Sequence, residues 1–182
     1  MTAHIFVDAN VFVYAKGPGE PLKKALAAAW IARLWKEKAG RTSMQALNEC
    51  YSVLTRKMRP PLSRDVAWEY VTELIAWDPR AVDSTLAVNA REIEQRYGLN
   101  WWDCLIIAAA QAERCSILLT EDLQDRAVYG NVNVRNPFAP AVCDSALPQL
   151  YGADRAFALR SRLRGRRIRP RPSGTTGAQV GL

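Results

Sequence analysis

Apolar residues along this chain gather into short unbroken runs and into longer stretches at helical spacing. The run at residues 4 to 7 is rich in β-formers and predicts a buried strand with Asp8 at its carboxyl end. A short helix over residues 10 to 16 should follow, broken by Gly17-Pro18-Gly19. Residues 20 to 39 then read as a long helix with an Ala/Leu/Trp stripe, ended by Gly40. Met44, Leu47, Tyr51, Leu54 and Met58 alternate spacings of three and four, which is one face of a helix over residues 44 to 58 with Ser43 as its N-cap. Pro60-Pro61 closes that segment, and Ser63 or Asp65 caps a further helix to about Trp77. A short strand over residues 81 to 83 leads to a helix over residues 84 to 97, which Gly98 and Asn100 stop. The helix predicted for residues 102 to 113 carries CLIIAAA, apolar on every side, as in a buried helix. Two more short apolar strands are predicted at residues 116 to 119, running into Thr120-Glu121-Asp122, and at residues 132 to 134, before Asn136-Pro137-Phe138. Strands separated by helices predict a layered α/β fold, a short parallel sheet flanked by helices in a single domain. The pattern decays beyond Pro140. It predicts a folded domain over residues 1 to 138 and an extension over 139 to 182 that is Arg-rich and disordered from about residue 160.

Charge changes this picture only at one end. The net charge is +7, but eight of the 25 basic residues and one of the 18 acidic ones lie from Ala153 onward, leaving 17 of each before it. All of the excess positive charge therefore belongs to the extension, where Arg160, Arg162, Arg164, Arg166 and Arg167 are candidate RNA-binding residues. The same segment could equally lie against an acidic partner or serve as a solubilising tail. A single histidine, His4, removes most Ser-His-Asp and Cys-His arrangements, together with HExxH zinc sites and two-histidine ribonuclease mechanisms, which points any hydrolytic chemistry to carboxylates and a metal. Cysteines 50, 104, 115 and 143 form no CxxC pair and read as reduced thiols. No stretch approaches the roughly 18 apolar residues of a membrane span, and the first residues lack a basic n-region and cleavage site. A cytoplasmic protein without membrane association is the expectation.

The acids have ordinary readings and chemical ones. Asp8 and Glu121/Asp122 each end a strand, and in a parallel sheet those ends share one edge, where open α/β sheets place ligands. Both could equally be loop or N-cap residues. Asp103, in the first turn of the apolar helix, is explained by capping and the helix dipole. Its place directly after Trp101 and Trp102, at the boundary of the core, also suits a carboxylate with a bound cation. Glu49 lies opposite the apolar stripe of its helix, so the polar face of Gln45, Asn48, Glu49 and Ser52 is either solvated or a cleft wall; spacing does not decide.

The segments IFVDANVFVYA, SMQALNECYSVLTRK, LNWWDCLIIAAA and ILLTEDLQD resemble, in order, the four acidic motifs of PIN-domain nucleases over roughly residues 4 to 138. The last two are similar to the helix start and strand end of VapC-type toxins. The resemblance implies a PIN-like fold, with Asp8, Glu49, Asp103 and Asp122 as catalytic metal ligands. It further implies that Asn10 and Thr120 are supporting residues and Asp125 an additional acid. Oxygen donors select Mg²⁺ or Mn²⁺. It implies a metal-dependent endoribonuclease acting on tRNA or rRNA, a cognate antitoxin partner and a homodimer. Three alternatives stay open: a non-catalytic RNA- or partner-binding PIN module, a DNA-directed nuclease of the same fold, and a receiver-like phosphate-handling protein. The last expects a lysine at a late strand end, and none stands there.

Overall fold

The computed structural model describes residues 4–139. Residues 1–3 and 140–182 lie outside the described part, and with them the predicted disorder from about residue 160, Cys143 and the arginines 160, 162, 164, 166 and 167. The elements run β1 Ile5–Val7, α1 Ala9–Lys16, α2 Pro21–Glu37, β2 Gly40–Arg41, α3 Met44–Ser52, a π-helical turn Val53–Lys57, α4 Arg64–Ile75, α5 Ser84–Tyr97, α6 Trp101–Ala112, β3 Ile117–Leu119, β4 Val128–Tyr129 and β5 Val132–Arg135. The sheet order is β2-β1-β3-β5-β4; every pairing is parallel except β4 with β5. Among the described residues this is a mixed α/β fold with six helices around a mostly parallel sheet. Among the described residues no helix is long and apolar enough to cross a membrane.

Both faces of the central strands are covered, which is why β1 and β3 read as unbroken apolar runs. Phe6 and Leu118 join the core formed with α5 and α6, whose residues Cys104 to Ala110 are all buried. Cys50, Cys104 and Cys115 are buried free thiols. Ser63, rather than Asp65, caps α4, its hydroxyl accepting from the Val66 N–H.

Four local expectations are corrected. Residues 81 to 83 form no strand; the chain makes one parallel bridge, Ser43 to Arg80, because α3 begins one residue later and leaves no room for a ladder. The single helix over residues 44 to 58 divides into α3 and the π turn, where the Met58 N–H reaches back five residues to the Val53 carbonyl at 3.0 Å. Gly40 does not end α2. That helix stops at Lys38, in the left-handed region at φ 53°, and Gly40 lies in β2 under Trp77. Two strands, β2 and β4, add to the three of the four predicted strands that form; at two residues each they are too short to leave a hydrophobic pattern.

A Cβ at position 40 would stand 2.5 Å from the Trp77 ring, which also packs edge-on against Phe12 and Trp35. Gly40→Val should therefore destabilise the protein by about 1–3 kcal/mol through overpacking. Thermal or urea unfolding checks this. An unchanged midpoint would contradict the close packing described here.

Candidate active site

Strand register builds the centre of the site. Val7 pairs with Leu119, so Asp8 and Thr120 emerge side by side at the carboxyl edge of the sheet. The Asp8 N–H still donates to the Leu119 carbonyl at 3.1 Å, but its own backbone has turned to cap α1. One carboxylate oxygen, Oδ1, accepts from the Ala9 N–H at 2.7 Å. The other, Oδ2, accepts from the Thr120 hydroxyl at 2.8 Å and the Asn10 amide at 3.2 Å. That same Asn10 Nδ2 reaches Thr120 Oγ1 at 2.9 Å and Asp122 Oδ2 at 3.0 Å, and Thr120 Oγ1 accepts from the Asp122 N–H at 3.1 Å. Asn10 and Thr120 thus tie two acids together. The capping reading of Asp8 and the cleft reading are both satisfied by one geometry.

Asp103 enters from α6. Asn100 is the N-cap: its Oδ1 accepts from the Asp103 N–H at 3.0 Å while its Nδ2 donates to the Asp103 carboxylate. Glu49 enters from α3, exposed, and Gln45, Asn48, Glu49 and Ser52 all line the same cleft as Asp8, Asp103 and Asp122. The cleft has a volume of about 1080 Å³. The polar face of α3 is therefore a cleft wall.

Of the two neighbouring acids after β3, only Asp122 faces the cleft. Lys23 Nζ holds Glu121 at 2.6 Å and the Tyr14 hydroxyl at 3.0 Å, fixing Glu121 against α2. Asp125 does not line the cleft; its carboxylate accepts from the Asn136 N–H at 2.8 Å and braces the segment after β5.

Burial and crowding of like charges dominate the electrostatics. Asp8 is 8% exposed, and burial pushes its carboxyl up to about 7 against the lowering effect of the Thr120 and Ala9 hydrogen bonds; the charges of Asp122 and Glu49 add to the rise. Asp103 is raised by burial and then by Asp122, opposed by its Asn100 hydrogen bond, with Glu49 contributing last. Such a set gains from a cation.

The donors fit a hard divalent ion by chemistry: all are oxygens, and Asn10 Oδ1 is buried with no partner among the described residues. As they stand, no three Asp, Glu, His or Cys side chains among the described residues close on a common point. Glu49 is exposed, so its rotamer is free to bring oxygens inward, whereas Asp122 is exposed but held through Oδ2 by Asn10.

The family model of the PIN domain matches residues 5–130. The chain belongs to the PIN-domain family. A comparable solved structure is that of Mycobacterium tuberculosis VapC20, described as a Sarcin-Ricin loop cleaving toxin. It has a TM-score of 0.48 and 20% identity, covering 63% of this chain and 86% of that one. No curated protein matches the chain.

Sequence reasoning missed two supports of this PIN domain's cleft. Asn100 stands three residues before Asp103, a legible capping spacing that was read only as the stop of the preceding helix. Lys23 and Glu121 are 98 positions apart and share no local signal.

The raised Asp8 carboxyl sets a sign for stability. An unfolded carboxyl ionises near 3.8 and the folded one near 7, so the folded state holds the extra proton between them. Stability from this group falls as pH rises through that window and is fully lost above about 7. In EDTA, Asp8→Asn should melt higher than the parent by several degrees at about pH 8, with the gap closing towards about pH 4. A gap independent of pH would contradict the buried, unneutralised carboxylate.

Proposed function

We propose that this PIN domain is a metal-dependent endoribonuclease and the toxin of a VapBC-type toxin–antitoxin pair. The observation that carries the reading is the meeting of Asp8, Glu49, Asp103 and Asp122, from β1, α3, α6 and the loop after β3, in one cleft. Asp8, Asp103, Asp122 and Glu49 would hold Mg²⁺ or Mn²⁺. A divalent ion held there would supply polarisation of the scissile phosphate and a lowered pKa for water. The chain's own part is orientation. Thr120, Asn10 and the start of α1 hold the Asp8 oxygens, and Asn100 holds Asp103, so the acids do not rely on the ion alone for their placement.

The toxin reading is supported by the similarity of LNWWDCLIIAAA and ILLTEDLQD to VapC-type segments. In this reading the protein acts in the cytoplasm on tRNA or rRNA, pairs as a homodimer, and is silenced by an antitoxin that covers the cleft. Residues 139 to 182 are the extension, and arginines 160, 162, 164, 166 and 167 grip phosphates without regard to sequence.

Cleavage of end-labelled tRNA and rRNA fragments in Mn²⁺, in Mg²⁺ and in EDTA tests the chemistry. Discrete, metal-requiring cuts leaving 5′-phosphate and 3′-hydroxyl ends are expected. Asp103→Asn should lower the rate by more than the roughly 10- to 100-fold that loss of an outer-shell metal partner costs. Cuts that survive EDTA, or 2′,3′-cyclic phosphate ends, would overturn the metal mechanism; cuts confined to DNA would reassign the substrate. Mn²⁺ should also raise the melting temperature of the parent protein and not that of Asp8→Asn.

A further inference from the structure

Two features of the cleft take no part in the acid set. Trp102 lines it while 65% exposed, whereas the preceding Trp101 turns in against the core under α5 and α6. An indole left in water at the mouth of a polar cleft gives up burial that its neighbour obtains, and a large flat apolar face is what remains on offer. Its backbone is anchored: Gln45 Nε2, from the α3 wall, donates to the Trp102 carbonyl at 3.2 Å. Beyond α3, the π turn brings both of its ends, Val53 and Lys57, to the cleft lining, and π-helical turns concentrate at functional positions. Among the described residues that line the cleft, Lys57 is the one basic side chain, and it is exposed.

We propose that Trp102 and Lys57 are substrate-binding residues of the cleft, the indole stacking on one unpaired nucleobase of the RNA and Lys57 Nζ meeting a flanking phosphate. This rests on the nuclease reading for the position of the scissile phosphate at the acids, and adds two substrate contacts outside the acid set. A base presents its face to an indole only when it has left the stack of a helix, so the platform selects unpaired over paired RNA. Every base has such a face, so it does so with little regard to sequence. Lys57 supplies the cation that an approaching phosphate needs above an acidic floor.

The test uses the full chain in EDTA at low salt, where binding is read apart from cleavage, with fluorescein-labelled single-stranded oligoadenylate and a blunt RNA duplex as probes in anisotropy titrations. Trp102→Ala should weaken oligoadenylate binding by about 10- to 100-fold and leave the duplex unchanged. Trp102→Phe should keep most of the affinity. Phosphate contacts elsewhere on the chain grip both probes, so the ratio of the two affinities isolates the platform. Lys57→Ala should flatten the slope of log affinity against log salt for oligoadenylate by about 0.7. The exposure of Trp102 leaves the fold intact on substitution, which far-UV circular dichroism and retained duplex binding verify.

No oligoadenylate affinity, or equal loss on both probes in Trp102→Ala, overturns the proposal. Cleavage in Mn²⁺ with a Trp102→Ala variant that binds and cuts like the parent sinks the platform and leaves the nuclease standing. Trp102-dependent strand binding with no cut in any metal keeps the platform and removes the nuclease reading.

Discussion

The architecture turns on one buried carboxylate. Asp8 follows the last residue of a strand flanked on both sides by parallel neighbours, where an ionised side chain is penalised by burial and would ordinarily be replaced by an apolar one. It is kept by a local hydrogen-bond set from Ala9, Asn10 and Thr120, each delivered by the geometry that also ends the strand and begins α1. The hydrogen bonds lower the cost without removing it, since the carboxyl remains pushed up to about 7. What remains is a demand for positive charge at the carboxyl edge of the sheet.

The rest of the fold supplies the surroundings in which a cation can meet that demand. The apolar helix α6 can be buried on every side only if its polar start projects beyond the core, and that start carries Asn100 and Asp103. β3 ends level with β1 and brings Thr120 and Asp122. Lys23 draws Glu121 away, so the loop contributes one acid to the cleft instead of two. α3 turns its apolar stripe inward and leaves Glu49 on the wall. Each acid is therefore a consequence of how its own element packs, and the repulsion among them is the common price of those placements.

Much of this was legible in the sequence because its signals are local. Unbroken apolar runs ending in acids marked β1 and β3, and CLIIAAA marked a buried helix. Glu49 was not decided by its helical wheel, because a polar face looks the same whether it meets solvent or a cleft; only the approach of α6 and the end of β1 distinguishes them. Gly40 carried the residue type of a helix stop but serves close approach to Trp77, a contact made 37 residues later in the chain. Strands of two residues and a π turn leave no periodic trace, and the turn is what brings Lys57 to the cleft. Asp125 matched a pattern of acids after β3, yet the backbone of Asn136 claims it.

The central claim is that these four acids hold a divalent cation. Anomalous diffraction from crystals of the full chain grown with Mn²⁺ measures it directly, since manganese scatters anomalously and its position needs no assumption about activity. The account predicts a single strong peak in the cleft, bounded by Asp8, Asp103 and Asp122 with Glu49 turned towards it. A well-ordered cleft with no peak, or manganese bound only elsewhere on the chain, would contradict it.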